Sequence, residues 1–158
     1  MILLGVSLLA LALDQGTQAM VLRQFHLEES RAIIDGFLNF TYIQNSGAAF
    51  GFMSQMPGLV RIPFFLAVTI AAGFIVYAYQ RFLPDERTAP RVYLGLIWGG
   101  AMGNCVDRVV YGKVVECIEV YHQSYHFYVF NVAAACISVG IGLLVLDYLF
   151  GGRDAERA

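Results

Sequence analysis

Charge is what this chain has least of: only 14% of its 158 residues are Asp, Glu, Lys or Arg, and the formal net charge is −2. No basic run is present that could neutralise a phosphate backbone, so nucleic acid is excluded as a partner. The N-terminus lacks the basic n-region of a secretory signal, has no Ala-x-Ala site after its apolar core, and carries no cysteine that could take a lipid. MILLGVSLLALAL is therefore expected to stay as a first membrane span rather than be removed. The apolar run ahead of Asp14 is short for the inner part of such a helix, which a start assigned too late would explain. Cysteine is scarce too, three in all. Cys105 and Cys136 fall in apolar runs and read as small apolar residues. Cys117 is expected to face outward without a partner, open to oxidation.

What the chain has in abundance is apolar surface. Hydrophobic residues make up 58% and the mean hydropathy is +0.63, too apolar for a water-soluble domain. Four runs approach the roughly 20 residues that cross a bilayer: residues 2–22, 59–80, 92–110 and 127–150. Asp14 lies within the first and Asn131 near the start of the last, and polar groups at such depth face a bundle interior. Residues 31–45, RAIIDGFLNFTYIQN, carry the hairpin turn signal Asp35-Gly36 between β-formers. The expected fold is an all-α membrane protein, a single domain over residues 1–158. It is a four-transmembrane-helix bundle with a small extracytoplasmic β-sheet or hairpin after the first helix.

Arg81, Arg87 and Arg91 crowd the short connection between the second and third runs, and Arg153 and Arg157 follow the last. The positive-inside rule places both on the cytoplasmic side. Residues 23–58 and 111–126 then face outward.

Polar residues recur in short motifs along the chain. They are Leu13-Asp14-Gln15-Gly16-Thr17, the run NSGAAFGF from Asn45, Gly103-Asn104 with Asp107-Arg108, Gly112-Lys113-Val114-Val115, and Phe130-Asn131-Val132-Ala133. Spacing alone makes the second a tight turn with packing glycines, and makes Asp14, Asn104, Arg108 and Asn131 interhelical hydrogen bonders. Taken together and in this order, the motifs resemble those of lipoprotein signal peptidase, or signal peptidase II. A lysine that usually follows the first motif is replaced here by Gln18.

The resemblance implies a cytoplasmic-membrane peptidase of bacteria, a monomer needing no cofactor or metal. It removes the signal peptide from a lipidated prolipoprotein on the amino side of the modified cysteine, with membrane lipid as the other partner. It implies two catalytic aspartates, one closing Val-Val-Asp and one closing Phe-Asn-x-Ala-Asp. This chain has Glu116 and Ala134 at those positions. It further implies that Asp14, Asn45, Asn104, Asp107, Arg108 and Asn131 line the substrate cleft.

Two neighbouring carboxyls divide the work: the ionised one activates water and the protonated one polarises the scissile carbonyl. Glu116 keeps an acid, displaced by one methylene, whereas Ala134 can do neither task. Glu119 is the alternative second acid, since it follows Glu116 by three positions and a helix would set them side by side. A zinc site from Cys117, His122 and His126 with Glu116 or Glu119 is conceivable on spacing, but the histidine also fits the family's connection, where it binds no metal. Three functions stay open: an impaired relative that still binds lipidated peptides or inhibitors, an active peptidase with a non-standard acid pair, and a membrane scaffold without activity.

Overall fold

The computed structural model describes residues 1–48, 51–122 and 125–150, with the backbone alone at His126. In chain order the elements are α1 (Ile2–Gln24), β1 (Ser30–Ile34), β2 (Leu38–Asn45), α2 (Gly58–Arg81), α3 (Thr88–Tyr111), β3 (Val114–His122), β4 (Tyr125–Phe130) and α4 (Val132–Phe150). Connectivity puts the C-termini of α1 and α3 and the N-termini of α2 and α4 at one end, beside the strands. At the other end the α2–α3 connection meets the tail of α4, where Arg87 donates to both oxygens of Asp147 at 2.8 Å.

The helices are built inside out relative to a water-soluble protein. The buried residues of α1 are Ser7, Ala10, Asp14, Gln18 and Val21, a helical face that is mostly polar, whereas Leu4, Leu8, Leu9 and Leu13 are exposed. α2 and α4 likewise expose Phe74, Ile75, Val145 and Leu146. Such surfaces are stable only against lipid. Helices α1, α2 and α4, with mean hydropathies of 1.3, 2.2 and 2.1, are long and apolar enough to cross a membrane. The 23 residues of α1 rise about 35 Å, matching a hydrocarbon core of about 30 Å.

Helix α3 packs against all three others, and glycine makes this possible. Gly95, Gly99 and Gly103 form a stripe four residues apart that lies on α1. A methyl added at Gly99 would meet the Ser7 carbonyl oxygen at 2.5 Å and the Ala10 side chain at 2.8 Å. At Gly100 it would strike the Ala133 carbonyl oxygen of α4. With no hydrophobic drive between helices in lipid, this backbone approach supplies the packing. Ser7 Oγ adds a hydrogen bond to the Gly95 carbonyl at 3.1 Å.

The sheet extends beyond the hairpin expected after the first helix. Its four antiparallel strands run in the order β1-β2-β3-β4. The hairpin around Asp35-Gly36 is present, Gly36 adopting φ 77°, but β3 and β4 come from residues expected to be connection and helix. The alternation in YHFYVF reads as continuous apolar sequence yet forms a strand, so the last helix begins at Val132 and not near residue 127. Asn131 sets that boundary, its Oδ1 accepting from the Ala134 N–H at 2.8 Å as a helix N-cap. Gly112, at φ 71°, ends α3 in the left-handed conformation that only glycine adopts without strain, turning the chain into β3. Val21 of α1 and Phe25, which caps that helix, pack with Cys117 of β3, pinning the sheet to the helices.

Two substitutions of identical chemistry test the packing. Gly142 has nothing within 4 Å of its added methyl. Gly142→Ala is therefore expected to be neutral or to raise the thermal midpoint in detergent, as alanine's helix propensity dictates. Gly99→Ala should lower stability by about 1–3 kcal/mol, because α1 and α3 must part. Equal midpoints for the two variants would contradict the close approach.

Candidate active site

Six of the residues singled out in the sequence meet in one cavity of about 130 Å³: Asn45, Asn104, Arg108, Glu116, Asn131 and Ala134. Each arrives from a different constraint. Asn45 ends β2, and its pairing with Val114 while Ile43 faces Glu116 fixes the two strands in register. Asn104 and Arg108 sit one turn apart on α3, Asn131 caps α4, and Ala134 occupies the first turn of that helix. A wider apolar cleft of about 440 Å³ adjoins, walled by Ile43, Tyr128, Val129 and Phe130, and shares Asn45, Glu116 and Ala134 with the smaller cavity.

The polar contacts leave Glu116 as the acid of this cavity. Asn45 Nδ2 donates to Glu116 Oε1 at 2.8 Å, and Asn45 Oδ1 accepts from the Gly47 N–H at 2.8 Å. Arg108 donates to the carbonyls of Asn104 at 2.9 Å and Gly47 at 3.0 Å, and its guanidinium lies 4.1 Å above the Phe65 ring. Asn131 Nδ2 reaches Asn104 Oδ1 and the Val115 carbonyl, both at 3.1 Å. Burial pushes the Glu116 carboxyl up, and the Asn45 hydrogen bond and the Arg108 charge oppose that shift only in part. Ala134 presents a methyl where the resemblance implies the partner acid.

The other acids do not fill the gap. Asp14 and Asp107, expected to line the substrate cleft, are fully buried and are not among the residues that wall this cavity. Asp14 Oδ1 accepts from the Ala133 N–H at 2.8 Å, and its Oδ2 from Gln18 at 2.9 Å and Gln15 at 3.2 Å. Asp107 accepts from Gln15 at 2.9 Å and from the Val115 N–H at 3.0 Å. Each carboxylate thus braces the peptide immediately before one of the two positions in question, Ala133 before Ala134 and Val115 before Glu116. Glu119 is not set beside Glu116 as a helix would set it. It lies on a strand, where residues three apart face opposite ways, and it accepts from Asn39 at 2.8 Å and Ser30 at 3.3 Å on the far side of the sheet.

At Gly47, in the run from Asn45, the backbone packs closely: a methyl there would strike the Phe52 carbonyl oxygen and approach the Ser54 nitrogen at 2.9 Å. One further expectation changes. Cys117 faces inward and is fully buried, so it is neither an outward thiol nor placed to join the exposed His122 as a ligand; the side chain of His126 lies outside the described residues. Sequence reading missed Gln15, Gln18 and Phe65. The signal was there for the two amides, which follow Asp14 at one and four residues within an apolar helix.

A polar cavity under a small sheet, at one end of helices clad in apolar side chains, is an architecture shared with membrane enzymes. A bacterial membrane enzyme solved by the in meso method at 2.3 Å resolution matches with a TM-score of 0.79 and 29% identity, over 91% of this chain and 85% of that one. A second, at 1.9 Å resolution, gives 0.75 and 30%, over 92% and 90%. The sequence comparisons narrow the class. The model of signal peptidase II matches residues 6–150, and the chain belongs to that family. It is 45% identical over 145 residues to a lipoprotein signal peptidase of Syntrophus aciditrophicus, covering 89% of this chain and 88% of that protein. A lipoprotein signal peptidase of Geobacter metallireducens is 40% identical over 152 residues, covering 96% and 91%.

The burial of Cys117 gives a direct test. Its thiol is pushed up to about 12, chiefly by desolvation and then by the nearby acids Asp14, Asp107 and Glu116. The reactive thiolate is therefore scarce at pH 8. Iodoacetamide at that pH is expected to leave Cys117 unlabelled in the folded protein and to label it after denaturation, read by peptide mass spectrometry. Rapid labelling of the folded chain would place the thiol elsewhere.

Proposed function

We propose that this protein receives the lipidated signal peptides of prolipoproteins in the cleft beside Glu116 but cleaves them slowly, if at all, for want of a second carboxyl. The observation that carries this reading is the wall of the cavity, where Glu116 is the only acid among the described residues and Ala134 occupies the first turn of α4. The relatives named lipoprotein signal peptidases support the substrate class. The apolar cleft that adjoins Glu116 suits an acyl chain and an apolar peptide, and Asn45 and Arg108 offer hydrogen bonds beside it.

Hydrolysis asks two things of the site at once: a base for the attacking water and an acid for the carbonyl oxygen. Glu116, with its carboxyl raised by burial, can supply only one of them in any turnover. Its extra methylene also moves the carboxyl by about an ångström, which alone can lower the rate about a hundredfold. Asp14 and Asp107 hold the backbone and have no opening to the substrate. In this reading α3 is the fourth crossing, kept in the membrane by its contacts with the other three helices. The arginine-rich α2–α3 connection is cytoplasmic and the sheet extracytoplasmic. The protein works as a monomer without metal or cofactor.

Turnover of a lipidated prolipoprotein by the purified protein is expected to be about 10⁴–10⁶-fold below that of an intact relative. Glu116→Asp combined with Ala134→Asp should restore cleavage, and Ala134→Asp alone should restore less. Parent activity within tenfold of an intact relative would defeat the impaired reading and favour an unusual acid pair. A folded double variant that stays inert would favour a scaffold.

Sidedness has its own measurement. In a cysteine-free background, Glu86→Cys is expected to be shielded from an impermeant maleimide in intact cells and Asp35→Cys to be labelled. The reverse pattern would invert the topology.

A further inference from the structure

We propose that the cavity between Glu116 and Ala134 is a binding site for a small carboxylic acid, which there supplies the carboxyl that the chain itself lacks. The first observation is Arg108. Both of its terminal nitrogens donate to neutral carbonyls, those of Asn104 and Gly47, and no carboxylate lies within ion-pair distance among the described residues. Its Nε is buried without a hydrogen-bond partner. A cation so placed gains by acquiring an anion, because removal from water is repaid only by pairing. Asp107, its neighbour in sequence, is committed to Gln15 and the Val115 N–H.

The second observation is the room that is there. The cavity of about 130 Å³ corresponds to the volume of about four waters, ample for formate or acetate. Its walls bring Arg108 together with the carboxamides of Asn45, Asn104 and Asn131 and with Glu116. The third observation is charge balance. Glu116 and a guest carboxylate sharing one proton carry a single negative charge between them, and Arg108 carries the matching positive one. A neutral set of three is what a desolvated cavity tolerates best.

The catalytic consequence rests on the function proposed above. With two carboxyls present, the ionised one takes a proton from water as the water oxygen bonds to the scissile carbon, and the protonated one gives its proton to the carbonyl oxygen. On collapse the first acid protonates the departing nitrogen while the second recovers its proton from a hydroxyl of the adduct. The C–N bond breaks, one water is consumed, and both acids return to their starting states. The guest acid is neither oxidised nor reduced.

The test uses the full-length protein in detergent micelles with ¹³C-formate as the probe. Saturable broadening of the formate resonance is expected with the parent, and its loss with Ala134→Leu, which fills the cavity, and with Ala134→Asp, which brings its own carboxyl. No saturable broadening, or equal broadening in both variants, overturns the site. Cleavage of a lipidated prolipoprotein is then measured in formate against chloride of equal ionic strength. A rise of about a hundredfold, within the range of one general acid or base, and its absence in Glu116→Gln, is the expected result. If formate gives no rise while Glu116→Asp with Ala134→Asp cleaves, the catalytic role of the guest fails and the impaired-peptidase reading stands. If the double variant is inert as well, that reading fails too, and the broadening alone decides the binding site.

Discussion

The interaction on which the rest of this structure depends is the buried chain of hydrogen bonds that runs from Asp14 through Gln18 and Gln15 to Asp107. It joins α1 to α3 in the middle of an apolar assembly, where a polar group left alone is costly. Its two ends reach the Ala133 N–H at the start of α4 and the Val115 N–H at the start of β3. One network therefore fixes the relative height of three helices and the start of β3, an inner strand of the sheet. The N–H at Ala133 is among those that a helix start leaves without an intrahelical partner, so Asp14 of α1 meets a need that α4 cannot meet itself. Removing either carboxyl would strand a buried donor, at about 1–3 kcal/mol each.

Glycine lets the network close. A side chain at Gly103 would meet Asp14 Oδ2 at 2.6 Å, so the carboxylate lies where only a glycine leaves space. The stripe of Gly95, Gly99 and Gly103 and the capping network are thus one device seen from two sides. Close backbone approach brings the acid to its partners, and the acid's hydrogen bonds reward the approach. At the far end of the helices the Arg87 pair with Asp147 is half-exposed and contributes little by comparison.

Much of this was legible in the sequence, and the parts that were not share a cause. Hydropathy located the helices to within a few residues, and the Asp35-Gly36 turn located the hairpin. The cavity residues Asn45, Asn104, Arg108, Glu116 and Asn131 were recognisable from motif order. The strands β3 and β4 were hidden because an apolar, aromatic run such as YHFYVF satisfies a half-buried strand and the start of a membrane helix equally well. Only the cap on Asn131, a tertiary fact once Asn104 and Val115 are included, separates them. The hydrogen bonds that Asp14 and Asp107 accept from the backbone were hidden for a related reason. A buried acid near a cleft looks the same in sequence whether it faces the ligand or the backbone behind it, and only the direction of its hydrogen bonds tells.

In the reading proposed above, that distinction lets a cleft outlast a catalytic acid. The acids that hold the backbone cannot be removed without leaving unpaired N–H groups in the core. The acid expected at Ala134 has no such duty, since the Ala134 N–H is already satisfied by Asn131 Oδ1 and the side chain opens onto a cavity. Replacing a carboxyl there with a methyl removes a buried charge beside Glu116 and leaves alanine, the residue most compatible with a helix. Stability therefore opposes loss of Asp14 or Asp107 and does not oppose loss of the acid at Ala134. A chain under pressure only to fold would keep Asn45, Arg108 and Asn131 as well, because each of them holds main-chain carbonyls or N–H groups in place. The walls of the site persist through their structural bonds, and the cavity they enclose retains the polar groups that a ligand can use.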